Sequence, residues 1–174
     1  MSTLSNLVRV VSGANRRDAR KAVVAWCHWA VAHKSDFTWK EVRPYVLSNW
    51  GPFVFDCSSS TEWIFWRAGA ADPVRANYNG WANSDLQWAK GLHISTKSMV
   101  GGDCMVFGVD GSAHIAICCE SWTNAKGNPL MFNMGSNADP SFRHLSEYNS
   151  GPFVIQQALR FPMRARRAIY PPTS

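Results

Sequence analysis

At 174 residues, with 46% hydrophobic and 17% charged side chains, the chain is sized for one globular domain with a core of its own, not for a disordered segment. No window reaches the length of a membrane span, and residues 1–20 lack the long apolar run and small-residue cleavage site of a secretory signal. A net charge of +6 points to an anionic partner, with bacterial cell wall and nucleic acid as the two candidates.

Residues 1–15 are polar with short apolar pieces and read as an N-terminal segment ahead of a domain spanning 16–161. Arg16 to His33 reads as an amphipathic helix: Ala19, Ala22, Val23, Trp26, Trp29, Ala30 and His33 form one stripe. Arg16, Arg17, Arg20 and Lys21 crowd its start, where cations oppose the helix dipole; they are either a solvated basic face or a patch for an external anion. Thr38-Trp39-Lys40-Glu41 fits a capping box for a short helix that Pro44 would break. A Gly51-Pro52 turn then leads through Phe53-Val54-Phe55 to the segment on which the rest depends.

In that segment Asp56, or a serine after it, can cap a helix in which Cys57, Thr61, Ile64, Phe65 and Ala68 recur at helical spacing, with Gly69 as the stop. Cys57 thus falls in the first turn, where free amides and the dipole favour negative charge and lower a thiol's pKa. A thiolate is the nucleophilic form; the competing reading is a buried core cysteine. Residues 70–98 read as a long connection with one short helix from Asn83 to Lys90.

From Gly101 the period changes to two. Asp103 to Val109 and Ser112 to Glu120 read as strands joined at Asp110-Gly111, Leu130 to Met134 as a third and Phe153 to Phe161 as a fourth. Helices first and strands second describe an α+β domain, and residues 162–174 form a basic, Pro-containing tail or linker. The five cysteines are odd in number and contain no CxxC pair, which suits folding in a reducing compartment. Adjacent Cys118 and Cys119 read as core filler on opposite faces of a strand. Cys27, His28 and His33 show no ligand spacing, so no zinc site is expected.

Strand alternation places His114 and Ala116 on one face, and the small Ala116 leaves room there for the tip of a helix carrying a cysteine. In the next strand Asn133 can sit beside His114 and hold its imidazole in one tautomer. Cys57, His114 and Asn133 could therefore serve as nucleophile, base and orienter.

These residues carry a resemblance. Asp56-Cys57-Ser58-Ser59 resembles the Asp-Cys-Ser-Gly signature of the NlpC family of papain-like cell-wall cysteine peptidases. Gly102-Asp103-Cys104-Met105-Val106-Phe107 is similar to that family's Gly-Asp-Leu-Val-Phe-Phe strand, and His114-Ile115-Ala116-Ile117 to its His-Val-Gly-Ile block. Pro44-Tyr45-Val46 resembles its Pro-Tyr element, and Asn133 falls where the family places its third polar residue, with Asn137 nearby as the alternative. The likeness covers about residues 44–161. Ser59 and Ala116 replace two of the family's glycines, and Asn49-Trp50-Gly51-Pro52 departs from its Trp-Gly-Gly.

The resemblance implies a papain-like fold, N-terminal helices on an antiparallel sheet with the nucleophile at a helix N-terminus. It implies a monomeric, cofactor-free endopeptidase that cuts a stem or cross-link peptide bond of peptidoglycan. Cys57, His114 and Asn133 would be catalytic, and Tyr45 and Ser58 would lie near the substrate or oxyanion. The partner would be anionic wall rather than nucleic acid or membrane. A phage lysin, made without a signal peptide in the host cytoplasm and acting on the wall after release or from the virion, fits this picture. The alternatives are an amidase or acyltransferase on a CHAP-like scaffold, and a non-catalytic basic module that binds wall or nucleic acid.

Overall fold

The first helix, α1 (Arg16–Ala32), forms because its apolar side chains return every three or four positions without a glycine or proline. Ala19, Ala22, Val23, Trp26 and Ala30 are all fully buried along it. The computed structural model describes residues 9–11, 16–108, 114–135, 139–148, 157–161 and 168–170. Asp110-Gly111, Asn137 and residues 153–156 of the expected fourth strand lie outside the described residues.

Two short strands flank the domain: β1 (Arg9–Val11) pairs antiparallel with β10 (Ala168–Tyr170). The N-terminal segment and the basic tail are therefore hydrogen-bonded to each other. After α1 comes β2 (Phe37–Trp39), where a capped helix was expected. It runs parallel to β3 (Phe53–Phe55), with Phe37 opposite Phe53 and Trp39 opposite Phe55. The aromatic pair decides this. Phe37 and Phe53 have ring centroids 4.8 Å apart, and both pack on Trp63. An aromatic contact of this kind, worth about 0.5–1.5 kcal/mol beyond burial, outweighs a weak local capping signal.

The central helix α2 (Cys57–Arg67) starts and stops as the sequence indicates, with Asp56 as N-cap and Gly69 at φ +65° just beyond its end. The connection that follows is organised by Asp72, whose carboxylate accepts the amides of Val74, Ala76 and Tyr78 at 2.6–2.9 Å. It leads to α3 (Ser84–Lys90), capped by Asn83.

Six strands build the main sheet: β4 (Leu92–Ile94), β5 (Cys104–Phe107), β6 (His114–Cys118), β7 (Leu130–Asn133), β8 (Ser141–His144) and β9 (Gln157–Arg160). Their order is β4-β9-β5-β6-β7-β8, antiparallel throughout. This is the α+β architecture expected. Strands β4 and β8 were not foreseen; both are outermost, short and only partly apolar.

The two faces of the sheet are covered differently. Cys104, Val106, Ile115, Ile117 and Phe132 join the large core with α1 and α2. Met105, Phe107, Ala116, Cys118 and Met131 form a smaller cluster on the other side with Met99 and Leu145. Helix α2 thus packs on the Ile115/Ile117 face and not on the face of Ala116, contrary to the sequence reading. Two isoleucines offer a helix far more apolar area than one alanine does.

Two further outcomes concern charge and thiols. Arg20 is not an external patch residue: its Nη1 lies 2.6 Å from the buried Asp103 carboxylate and donates to Gly101 O. Arg160 approaches the same carboxylate at 3.5 Å. Gly102 stands at φ +85°, where an L side chain is strained, and a Cβ added there would lie 3.2 Å from the Arg20 Cα. Cys118 is buried in the smaller cluster, and Cys119 packs against the larger one, as adjacent core-filling thiols should.

Candidate active site

The start of α2 is built by Asp56. Its Oδ1 accepts the Ser59 amide at 2.7 Å and the Ser59 hydroxyl at 2.8 Å, and its own amide donates to Ser59 Oγ at 2.8 Å. This is a capping box with serine in place of the usual Glu or Gln, and an N-cap of this kind is worth about 1 kcal/mol. The arrangement explains why a serine serves where the resembling signature has glycine. Asp56 Oδ1 also accepts the Ser58 hydroxyl at 2.9 Å.

Arg43 closes the arrangement from outside the helix. Its Nη2 donates to Asp56 Oδ2 and to Ser58 Oγ, each at 2.7 Å, while Nη1 donates to the carbonyl of Val42. Burial works to raise the Asp56 pKa, but the Ser59 amide and hydroxyl and the Arg43 guanidinium outweigh it. The carboxyl is held below the ordinary Asp range, as an anion beside Cys57.

Cys57 and His114 line one cleft of about 400 Å³ at the end of the sheet, where α2 and β6 both begin. Trp39, Glu41, Arg43, Asp56, Ser58, Asn83, Ser84, Met134 and Gly135 complete its walls. The two residues face the cleft around the start of β6 rather than lying across one face of the strand. Cys57 belongs to the helix side, with its sulfur facing the backbone amides of Ile115 and Ser58. His114 belongs to the side of Phe107 and Tyr148, whose rings lie 5.8 and 6.0 Å from its own.

Behind the imidazole stands Asn133, 3% exposed, with Oδ1 only 2.6 Å from His114 Nε2. An amide oxygen can only accept, so Nε2 carries the proton and Nδ1 is left as the acceptor of the ring.

The electrostatics differ from those expected of a cysteine at a helix start. Burial and the neighbouring Asp56 carboxylate push the Cys57 thiol up to about 11, against the Ile115 and Ser58 amides and Arg43. Burial also lowers the His114 pKa, against the hydrogen bond its Nε2–H donates to Asn133. Near pH 7 the resting pair is a neutral thiol and a neutral imidazole. Such a pair can act by proton transfer to His114 as the sulfur attacks, rather than from a preformed thiolate.

The other two predicted site residues are placed differently. Ser58 lines the cleft, but its hydroxyl is occupied by Asp56 and Arg43. Tyr45 is 5% exposed and is not among the cleft residues; its ring packs edge-on to Phe55, 6.4 Å between centroids. Sequence reasoning missed Arg43 and Tyr148. Arg43 adjoins the Pro-Tyr element, but nothing in a spacing of thirteen residues announces its bond to Asp56. Among the described residues, no cluster of three or more His, Cys, Asp or Glu could hold a metal ion, and no helix is long and apolar enough to cross a membrane. No family model matches this chain, and no curated protein sequence matches it.

Proposed function

We propose that this protein is a cysteine peptidase that cleaves a peptide bond in bacterial peptidoglycan, on a papain-like arrangement of helix and sheet. The observation that carries the reading is the 2.6 Å contact between His114 and Asn133 in the wall of a cleft that Cys57 also lines. The residues read as nucleophile, base and orienter span 77 positions of sequence; two line this cleft and the third bonds to His114. The choice of peptidoglycan rests on the motif resemblance and on the net charge of +6, which suits an anionic polymer.

In this mechanism His114 Nδ1 takes the thiol proton as Cys57 Sγ forms a bond to the carbonyl carbon of the scissile peptide. The oxyanion that develops is met by the Cys57 backbone amide; the cap and the helix use those of Ser59 and Ser60. Collapse breaks the C–N bond, and the imidazolium returns its proton to the departing amine. Water, deprotonated by His114, then attacks the thioester, releasing the carboxylic acid and the thiol. Asn133 holds the imidazole by its Nε2–H throughout. Tyr45 is given no step in this mechanism; it is buried, with its ring centroid 5.2 Å from the Arg43 guanidinium carbon.

Mass spectrometry of purified peptidoglycan after digestion tests the bond type. An endopeptidase leaves stem peptides cut internally, whereas an amidase frees whole stems from muramic acid.

A further inference from the structure

Among the described residues, Arg43 is the one Lys or Arg lining the cleft, and it donates to the Val42 carbonyl, the Asp56 carboxylate and the Ser58 hydroxyl. Its side chain is 19% exposed and that of Asp56 7%, so the pair is largely withdrawn from water. The two Nη2 bonds, to Asp56 and to Ser58, end on the residues immediately before and after Cys57. Both come from one nitrogen, whose two N–H groups are fixed in the guanidinium plane, whereas those of an ammonium rotate.

We propose that Arg43 is a positioning residue for Cys57: it clamps both neighbours of the nucleophile and offsets part of the Asp56 charge beside the sulfur. The proposal rests on the reading of Cys57 as the nucleophile. Without Arg43, the carboxylate that caps the helix stands uncompensated against a forming thiolate. The cap needs an acceptor at position 56 and the thiolate needs no anion there, and Arg43 reconciles the two. The charged and titratable groups facing the site are Asp56 and Cys57 at the helix start, Glu41 and Arg43 on the preceding segment, and His114 on β6. Arg143 on β8 acts on His114 from further away. Of these, only Arg43 bonds to Asp56.

The test is the pH dependence of Cys57 alkylation by iodoacetamide in the intact folded protein, followed by peptide mapping, for wild type, Arg43→Met, Arg43→Lys, Asp56→Asn and the double variant. A nearby opposite charge favours the charged form of a group, by about one pKa unit or more when close, and Arg43 acts on the Cys57 thiol in that direction. Arg43→Met should therefore shift the profile up by about one unit and slow labelling about tenfold at a fixed pH below it. Arg43→Lys should recover part of that loss. Asp56→Asn, which keeps an oxygen for the Ser59 amide, should shift the profile down, and the double variant should fall between the two single ones. An Arg43→Met protein that keeps its circular dichroism and labels like wild type would overturn the proposal. If Arg43→Met does not fold, an unshifted Asp56→Asn profile overturns it equally. No peptidoglycan is used, so failure here is distinct from failure to cut wall.

Discussion

His114 Nε2 lies 2.6 Å from Asn133 Oδ1, and this one contact assigns the tautomer of the imidazole. Because the oxygen must accept, the proton sits on Nε2 and the basic lone pair on Nδ1. A histidine held this way has the orientation that the proposed mechanism asks of its base. Asn133 itself is buried, so in the proposed mechanism it acts only through His114.

Asn133→Ala should therefore preserve fold and wall binding while slowing turnover. General-base contributions run about 10²–10⁴-fold, and the loss should lie near the lower end, milder than for Cys57→Ala or His114→Ala. Asn133→His should recover part of it, since a ring nitrogen can accept the same proton. Initial rates on purified peptidoglycan, with circular dichroism as a folding control, measure this. A near-wild-type Asn133→Ala would remove Asn133 from the mechanism.

The Cys57 thiol, pushed up to about 11, sets the direction of its pH dependence. A raised thiol pKa means a small thiolate fraction at neutrality that grows about tenfold per unit as pH rises toward that value. Alkylation of native Cys57 should thus accelerate steadily from pH 7 to pH 9, with no plateau near neutrality. Cys27 and Cys104 are fully buried, so Cys57 should be labelled before either. Peptide mapping after limiting exposure checks both points, and a plateau below pH 8 would show a thiolate already formed.

Beneath the cleft, Glu62 is fully buried in α2 and accepts a bond from Gln87 Nε2 at 3.2 Å. Burial and the nearby Asp72 carboxylate hold its acid well above the ordinary carboxylate range. With the folded pKa raised, the unfolded chain releases this proton first. Stability associated with Glu62 is then fully present below about pH 4.3, the ordinary Glu value, and is lost as pH rises toward the folded pKa. Glu62→Gln, whose amide oxygen can accept the same Gln87 bond, should be neutral near pH 4 and increasingly stabilising toward pH 7. Thermal melts of both proteins across that range test the sign; a Glu62→Gln protein that is equally destabilised at every pH would contradict it.

What the sequence disclosed follows the range of the interactions involved. The limits of α2 and α3 were readable because Asp56, Gly69 and Asn83 act within a few residues of the ends they mark. The pairing of His114 with Asn133 was readable because alternation along two neighbouring strands leaves few options. Thr38-Trp39-Lys40-Glu41 misled because its capping pattern is local, whereas the Phe37–Phe53 contact that makes it a strand is not. The pKa of Cys57 misled for a similar reason. A helix start is visible in sequence, but the burial and the fixed Asp56 charge that outweigh it are products of the folded cleft. Arg43 was invisible on the same ground.

The most direct measurement is digestion of purified peptidoglycan by wild type and Cys57→Ala, read by turbidity and by mass spectrometry of the products. Wild type is expected to clear the wall and release stem peptides cut at one internal bond, while Cys57→Ala stays folded, binds wall and releases nothing. Equal clearing by the two proteins, or whole stems freed from muramic acid, would contradict cysteine endopeptidase action at this site.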